Sequence, residues 1–141
     1  MRALLDSNVL FSGLFFQGNE HELLRQAVSR GFTIVIPEYV SMEVKRIIEE
    51  KIGQSARKEA GLANLALIEN VAEMVSEAQA EPHIARALSL IRDEKDAPVL
   101  AAALTAKPDV LITPGDEDFF NLKGKVPFRI LTAAQFLKRV T

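Results

Sequence analysis

Four carboxylates in this sequence stand where a folded chain gathers side chains rather than scatters them. Asp6 follows the apolar run Ala3-Leu4-Leu5, precedes Ser7-Asn8, and the chain turns apolar again at Val9-Leu10-Phe11. Glu43 lies in the first two turns of a helical pattern that follows Thr33-Ile34-Val35-Ile36. Asp96 opens the compact apolar stretch Ala97-Pro98-Val99-Leu100-Ala101-Ala102-Ala103, and Asp116 follows Val110-Leu111-Ile112. A buried strand that ends on an acid presents it at the edge where open α/β sheets bind ligands. Two carboxylates about 4 Å apart repel by roughly 4 kcal/mol at an effective dielectric of 20. Gathering four of them therefore calls for a cation, or forces some to take up protons. Hard divalent ions prefer oxygen ligands, and two such ions about 3.5–4 Å apart can run metal-assisted phosphodiester hydrolysis.

The rest of the composition narrows the metal. The chain has no cysteine, which excludes disulfides and thiolate sites, and only 2 histidines, His21 and His83, which read as surface residues. An ion here is held mainly by oxygen, which suits Mg2+ or Mn2+. With 141 residues and 48% hydrophobic content, the chain reads as a single domain over 1–141 with a real core. A net charge of -2 argues against a generally basic nucleic-acid coat. Arg25, Arg30, Lys45, Arg46, Lys51, Arg57 and Lys58 form at most a local patch, and solvated surface charge is the default reading. No apolar run approaches the roughly 20 residues of a membrane span. Asp6 also interrupts any signal-peptide pattern, so the expected location is cytoplasmic.

The elements that must position the acids follow from periodicity. Strands are expected over 2–5, 33–36, 109–113 and 128–131, with a short edge strand at 71–75. Helices are expected over 20–30 (capped by Asn19 and stopped by Gly31), 38–51, 55–70, 82–91, 96–105 and from Thr132 to about Val140. Residues 11–19, with Gly13 and Gly18, read as a loop. Residues 92–95 read as a charged connector, which makes Asp93 a solvated loop charge. The stretch around Lys123-Gly124-Lys125 reads as hairpin-like. Alternating strands and helices imply an α/β fold: a three-layer α/β/α sandwich around a parallel sheet of four to five strands. In such a sheet, strand C-termini and the following helix N-termini share one edge. Asp96 reaches that edge only if its helix points its N-terminus there.

These residues resemble the PIN-domain family of nucleases. The segments that carry the resemblance are Leu4-Leu5-Asp6-Ser7-Asn8-Val9-Leu10, Ile36-Pro37 with Glu43, Asp96 through Ala103, and Val110-Leu111-Ile112 with Gly115-Asp116-Glu117-Asp118-Phe119. They stand in the family's order and cover nearly the whole chain. The resemblance implies a magnesium- or manganese-dependent ribonuclease acting on single-stranded RNA. It also implies a VapC-type toxin, a homodimer neutralised by a partner antitoxin. It maps the three core acids onto Asp6, Glu43 and Asp96, and the fourth, more variable acid onto Asp116, with Asp118 as a second candidate. The small polar residue after the first acid maps onto Ser7 or Asn8, and Asp93 is a further candidate ligand. One departure stands out: related sequences often carry Thr or Ser two positions before the fourth acid. Here that position is Pro114, with Thr113 one residue earlier.

Two other functions fit parts of the pattern. One is a PIN-like RNA-binding or interaction domain without turnover, favoured by the departure at Pro114. The other is a phosphoacceptor with Asp6 as the acceptor. Asn8 stands where an aspartyl-phosphate hydrolase wants a second Asp, and Lys123 is too far along for a receiver domain.

Overall fold

The computed structural model describes residues 1–115 and 117–140. The apolar, β-branched runs form five strands: β1 (Arg2–Leu5), β2 (Thr33–Pro37), β3 (Glu73–Val75), β4 (Val110–Ile112) and β5 (Arg129–Leu131). They make one sheet in the order β3-β2-β1-β4-β5, with every pairing parallel. β1 is central, with Leu5 opposite Ile112 of β4 and Leu4 opposite Val35 of β2. Its Ala3, Leu4 and Leu5 are fully buried, as a strand covered on both faces requires.

The connections are helical: α1 (Ser7–Phe15), α2 (Asn19–Arg30), α3 (Glu38–Lys51), α4 (Ala56–Val71), α5 (Glu77–Ala80), α6 (Ile84–Leu90), α7 (Ala97–Ala106), α8 (Glu117–Phe120) and α9 (Ala133–Val140). Right-handed crossovers place α1 to α4 on one face, where α2 packs on α1 and α9. They place α5 to α7 on the other, where α5 and α6 pack on α7. Small residues on α7, among them Ala101, Ala102 and Ala103, are buried and let the helix lie close to the sheet. Among the described residues no helix is long and apolar enough to cross a membrane.

Arg2 holds the far end of α7. Its guanidinium grips the Glu73 carboxylate with Nε (2.9 Å) and Nη2 (2.6 Å). Nη1 donates to the Ala106 and Lys107 carbonyls at 2.9 and 3.1 Å. The last turn of α7 is thus tied to the beginning of β1. α7 has ten residues, about 15 Å at 1.5 Å per residue, so its first residue lies at the opposite edge, where the strands end.

Several expectations change. Residues 11–15 continue a helix rather than a loop, because Asp6 caps α1 and Gly13 sits at a close helix crossing. A Cβ on Gly13 would lie 2.5 Å from Leu24 Cδ1 and 3.0 Å from the Glu20 carbonyl oxygen. The glycine is there for packing. Gly18, not Asn19, is the N-cap of α2. The helix expected over 82–91 is α6, entered by a tight turn over Glu81–His83, and a further short helix, α5, precedes it, started by the capping box of Ser76 and Gln79. The segment around Gly124 is not a hairpin, since β4 and β5 are parallel and joined through α8. His21 and His83 are half-buried and hydrogen-bonded, to the Gly13 carbonyl (3.0 Å) and Thr105 Oγ1 (2.9 Å).

Gly13→Ala is expected to destabilise the protein by roughly 1–2 kcal/mol. Overpacking of about 1–3 kcal/mol outweighs the gain in helix propensity of at most about 1 kcal/mol. Urea denaturation checks this; an unchanged or raised midpoint contradicts the close crossing.

Candidate metal centre

The strand order reverses between β1 and β4, since β2 and β3 extend the sheet one way and β4 and β5 the other. In open α/β sheets the crevice beyond the strand ends at such a switch point is the ligand site. Asp6 stands there. Its N–H donates to the Ile112 carbonyl at 3.0 Å, extending the pairing one residue past Leu5. Its carboxylate accepts from the Ser7 N–H at 2.7 Å, capping α1. The Ser7 and Thr113 side chains belong to the ends of the same two strands. Both are buried, and neither hydroxyl oxygen has a hydrogen-bond partner among the described residues. Asn8 is exposed at the first turn of α1.

Asp96 reaches the same edge because its helix lies in the parallel crossover from β3 to β4, with its far end held by Arg2. It is the N-cap residue of α7, but its side chain makes no capping bond. Ligand oxygens of Asp93, Asp96 and Asp118 all lie within 4.8 Å of one another, the one such acidic group among the described residues. Backbone amides hold two of these carboxylates. Asp118 Oδ2 accepts from the Asp93 N–H at 2.9 Å, and Asp93 Oδ1 accepts from the Lys95 N–H at 3.0 Å. Phe119, fully buried, anchors α8 and so fixes Asp118.

Glu43 lies on α3 outside that trio. Tyr39, one turn earlier, donates its hydroxyl to Glu43 Oε2 at 3.0 Å, and Arg46 Nη2 stands 3.7 Å from the same oxygen. Burial pushes the Tyr39 hydroxyl up to about 12; its bond to Glu43 and the charge of Asp96 act in the same direction. Tyr39 therefore stays a neutral donor at any ordinary pH.

The structure thus brings Asp96 together with Asp93 and Asp118; Asp6 and Glu43 are not members of that group among the described residues. Asp116 lies outside the described residues. Asp93 is exposed, as a loop charge would be, yet it is one of the trio. The signal was its spacing to Asp96: a three-residue step on the tight turn Glu94–Asp96 brings both acids to one side. Tyr39 was also missed; its four-residue step to Glu43 on one helix face is the mark. The basic residues do not form an open patch. Arg25, Lys45, Arg46 and Lys58 pair with Glu22, Glu69, Glu50 and Glu49, and Arg57 lies over the Phe15 and Phe16 rings.

A family model described as PIN domain matches residues 2–116. The chain belongs to the PIN-domain family. The fold agrees. VapBC2 from Rickettsia felis, bound to a DNA fragment from its promoter, superposes with a TM-score of 0.67 at 16% identity, covering 92% of this chain and 97% of that one. A toxin-antitoxin complex from Klebsiella pneumoniae gives 0.63 at 18% identity, covering 91% and 99%. VapC20 from Mycobacterium tuberculosis, a toxin that cleaves the sarcin-ricin loop, gives 0.57 at 16%, covering 90% and 98%. No curated protein sequence matches the chain. In this PIN domain the acidic trio gathers at the N-terminus of α7, and Asp6 stands at the switch point of the sheet.

Tyr39 is the only tyrosine, so the tyrosinate absorbance of the native protein reports it alone. Ionisation is expected near the raised value of about 12, against about 10 in the unfolded chain. Tyr39 therefore contributes stability that is fully present below pH of about 10 and lost as the pH rises through the raised value. Tyr39→Phe removes that part of the alkaline loss. A native midpoint near the unfolded one contradicts the buried bond to Glu43.

Proposed function

We propose that this PIN domain is a metal-dependent endoribonuclease that cleaves single-stranded RNA with Mg2+ or Mn2+. The observation that carries the reading is the acidic trio Asp93, Asp96 and Asp118, at the strand-end edge of a PIN fold whose switch point holds Asp6. The donor set fits a hard ion: every ligand atom is a carboxylate oxygen, with no sulfur or imidazole among them. The two buried hydroxyls, Ser7 Oγ and Thr113 Oγ1, fit as well. A buried hydroxyl without a partner is costly, and water carried by an ion at this edge would bond it.

In this reading Asp96 and Asp118 hold the ion, with Asp93 and Asp6 beside them. Asn8, at the start of α1, and Asp116, which lies outside the described residues, are the further ligands of this reading. A bound divalent ion supplies an acidified water and positive charge for the leaving oxygen. Glu43, its Oε2 occupied by Tyr39, keeps Oε1 to orient the attacking water and accept its proton. The phosphodiester P–O bond then breaks, and the leaving oxygen takes up a proton from solvent.

The wider biology follows the VapC likeness. The chain acts in the cytoplasm as the toxin of a pair, as a homodimer, and is neutralised by a protein antitoxin. The support is the fold shared with the toxin-antitoxin complex from Klebsiella pneumoniae and with VapC20.

With manganese, the purified protein is expected to cleave a single-stranded RNA oligonucleotide. Asp96→Asn and Asp6→Asn are each expected to lower the rate by about 100-fold or more, beyond the roughly 10–100-fold typical of second-sphere changes. Cleavage that survives both substitutions unchanged removes this site from the reaction. RNA binding with no cleavage under any metal favours a non-catalytic interaction domain instead.

A further inference from the structure

A cavity of about 160 Å³ opens beside the acidic edge. Its walls are apolar: Pro37, Val75, Ala80, Ile84, Pro98 and Ala102. Tyr39 lines it too, and so joins the cavity to Glu43, to which its hydroxyl is bonded. Pro98 comes two residues after Asp96. Glu77 and Glu81 line it as well, both exposed and on the one short segment that the Ser76–Gln79 capping box holds in place.

Resting on the ribonuclease reading, we propose that this cavity is a nucleobase subsite: it takes the base of a nucleotide next to the scissile phosphate, and prefers a base with an exocyclic amine. Size selects the base alone. Sites for whole drug-sized ligands run to about 300–1,000 Å³, so the cavity admits one flat base and leaves sugar and phosphate outside, on the side of the acids. The walls suit a ring, because unstacked RNA bases are held by aromatic and apolar side chains and read along their hydrogen-bonding edges. These two acids choose among bases. Carboxylates only accept hydrogen bonds, so Glu77 and Glu81 favour the amines of cytosine, adenine and guanine. Uracil carries a carbonyl where cytosine carries its amine, and so offers these carboxylates no exocyclic donor. Two acids near a polyanion would weaken phosphate binding; they serve the site only if a base, not a phosphate, meets them.

The test uses single-stranded RNA oligonucleotides that differ only in the base flanking the cut. Wild type is expected to cleave amino-bearing sites roughly 10-fold or more faster than uracil sites, a difference on the scale of one hydrogen bond to a charged group. Glu77→Gln and Glu81→Gln are expected to flatten that preference by slowing cleavage at amino-bearing sites toward the uracil rate. Cleavage that needs Asp96 but ignores base identity, or a preference unchanged in both variants, overturns the subsite and leaves the ribonuclease reading intact. If no cleavage depends on Asp96, that reading falls, and NMR titration of the full chain still decides on the cavity. Cytidine is then expected to shift the amide signals of Val75, Ala80 and Ile84 more than uridine does, and equal or absent shifts overturn it.

Discussion

Like-charge repulsion is the constraint around which this molecule is arranged. Three carboxylates whose oxygens lie within 4.8 Å of one another repel pairwise by up to roughly 4 kcal/mol at an effective dielectric of 20. Domain stabilities are only about 5–15 kcal/mol in total, so such a group persists only where the fold offsets the repulsion. Backbone N–H groups of Asp93 and Lys95 bond two of the carboxylates. The N-terminus of α7 adds a favourable dipole beside Asp96, on the order of 0.3–1 kcal/mol. These contributions offset part of the repulsion, and a bound cation would offset the rest.

What brings the acids together is the sheet, not the local sequence. The parallel crossover from β3 to β4 sets α7 with Asp96 at the strand ends, and Arg2, at the opposite edge, ties Glu73 to the last carbonyls of that helix. The reversal of strand order at β1 and β4 opens the crevice there, flanked by Asp6, Ser7 and Thr113. The same edge continues through Tyr39 and Pro98 into the apolar cavity, so ion, phosphate and base would lie side by side along one groove.

Much of this was legible in the residues. Buried strands announce themselves by unbroken apolar, β-branched runs, so β1, β2 and β4 stood out, and an acid directly after β1 marked Asp6. Asp96 was legible as the first polar residue before a compact apolar helix, though the direction of that helix depended on the crossover from β3 to β4. α1 was hidden because Gly13 reads as a breaker; only the packing of Leu24 against it explains a glycine within a helix. Asp93 was hidden for a related reason. Its exposure and charged neighbours describe a solvated loop, and the acid that makes it a partner, Asp118, arrives from a different element. Thr113 continues the point. The hydroxyl expected two residues before the fourth acid is replaced by Pro114, while the neighbouring threonine is buried at the site edge.

The most direct measurement is the melting temperature under a manganese titration, for wild type and for Asp93→Asn, Asp96→Asn and Asp118→Asn. An ion that binds only the folded chain stabilises it by about 2.7 kcal/mol at a hundredfold excess over its Kd, roughly a 5–10 °C rise for a domain of this size. The account predicts that rise in wild type and its loss in the Asp96 and Asp118 variants, each of which also melts higher than wild type without metal because one repulsive charge is gone. A wild-type melting temperature indifferent to manganese, with no gain on neutralising any of the three acids, would contradict it.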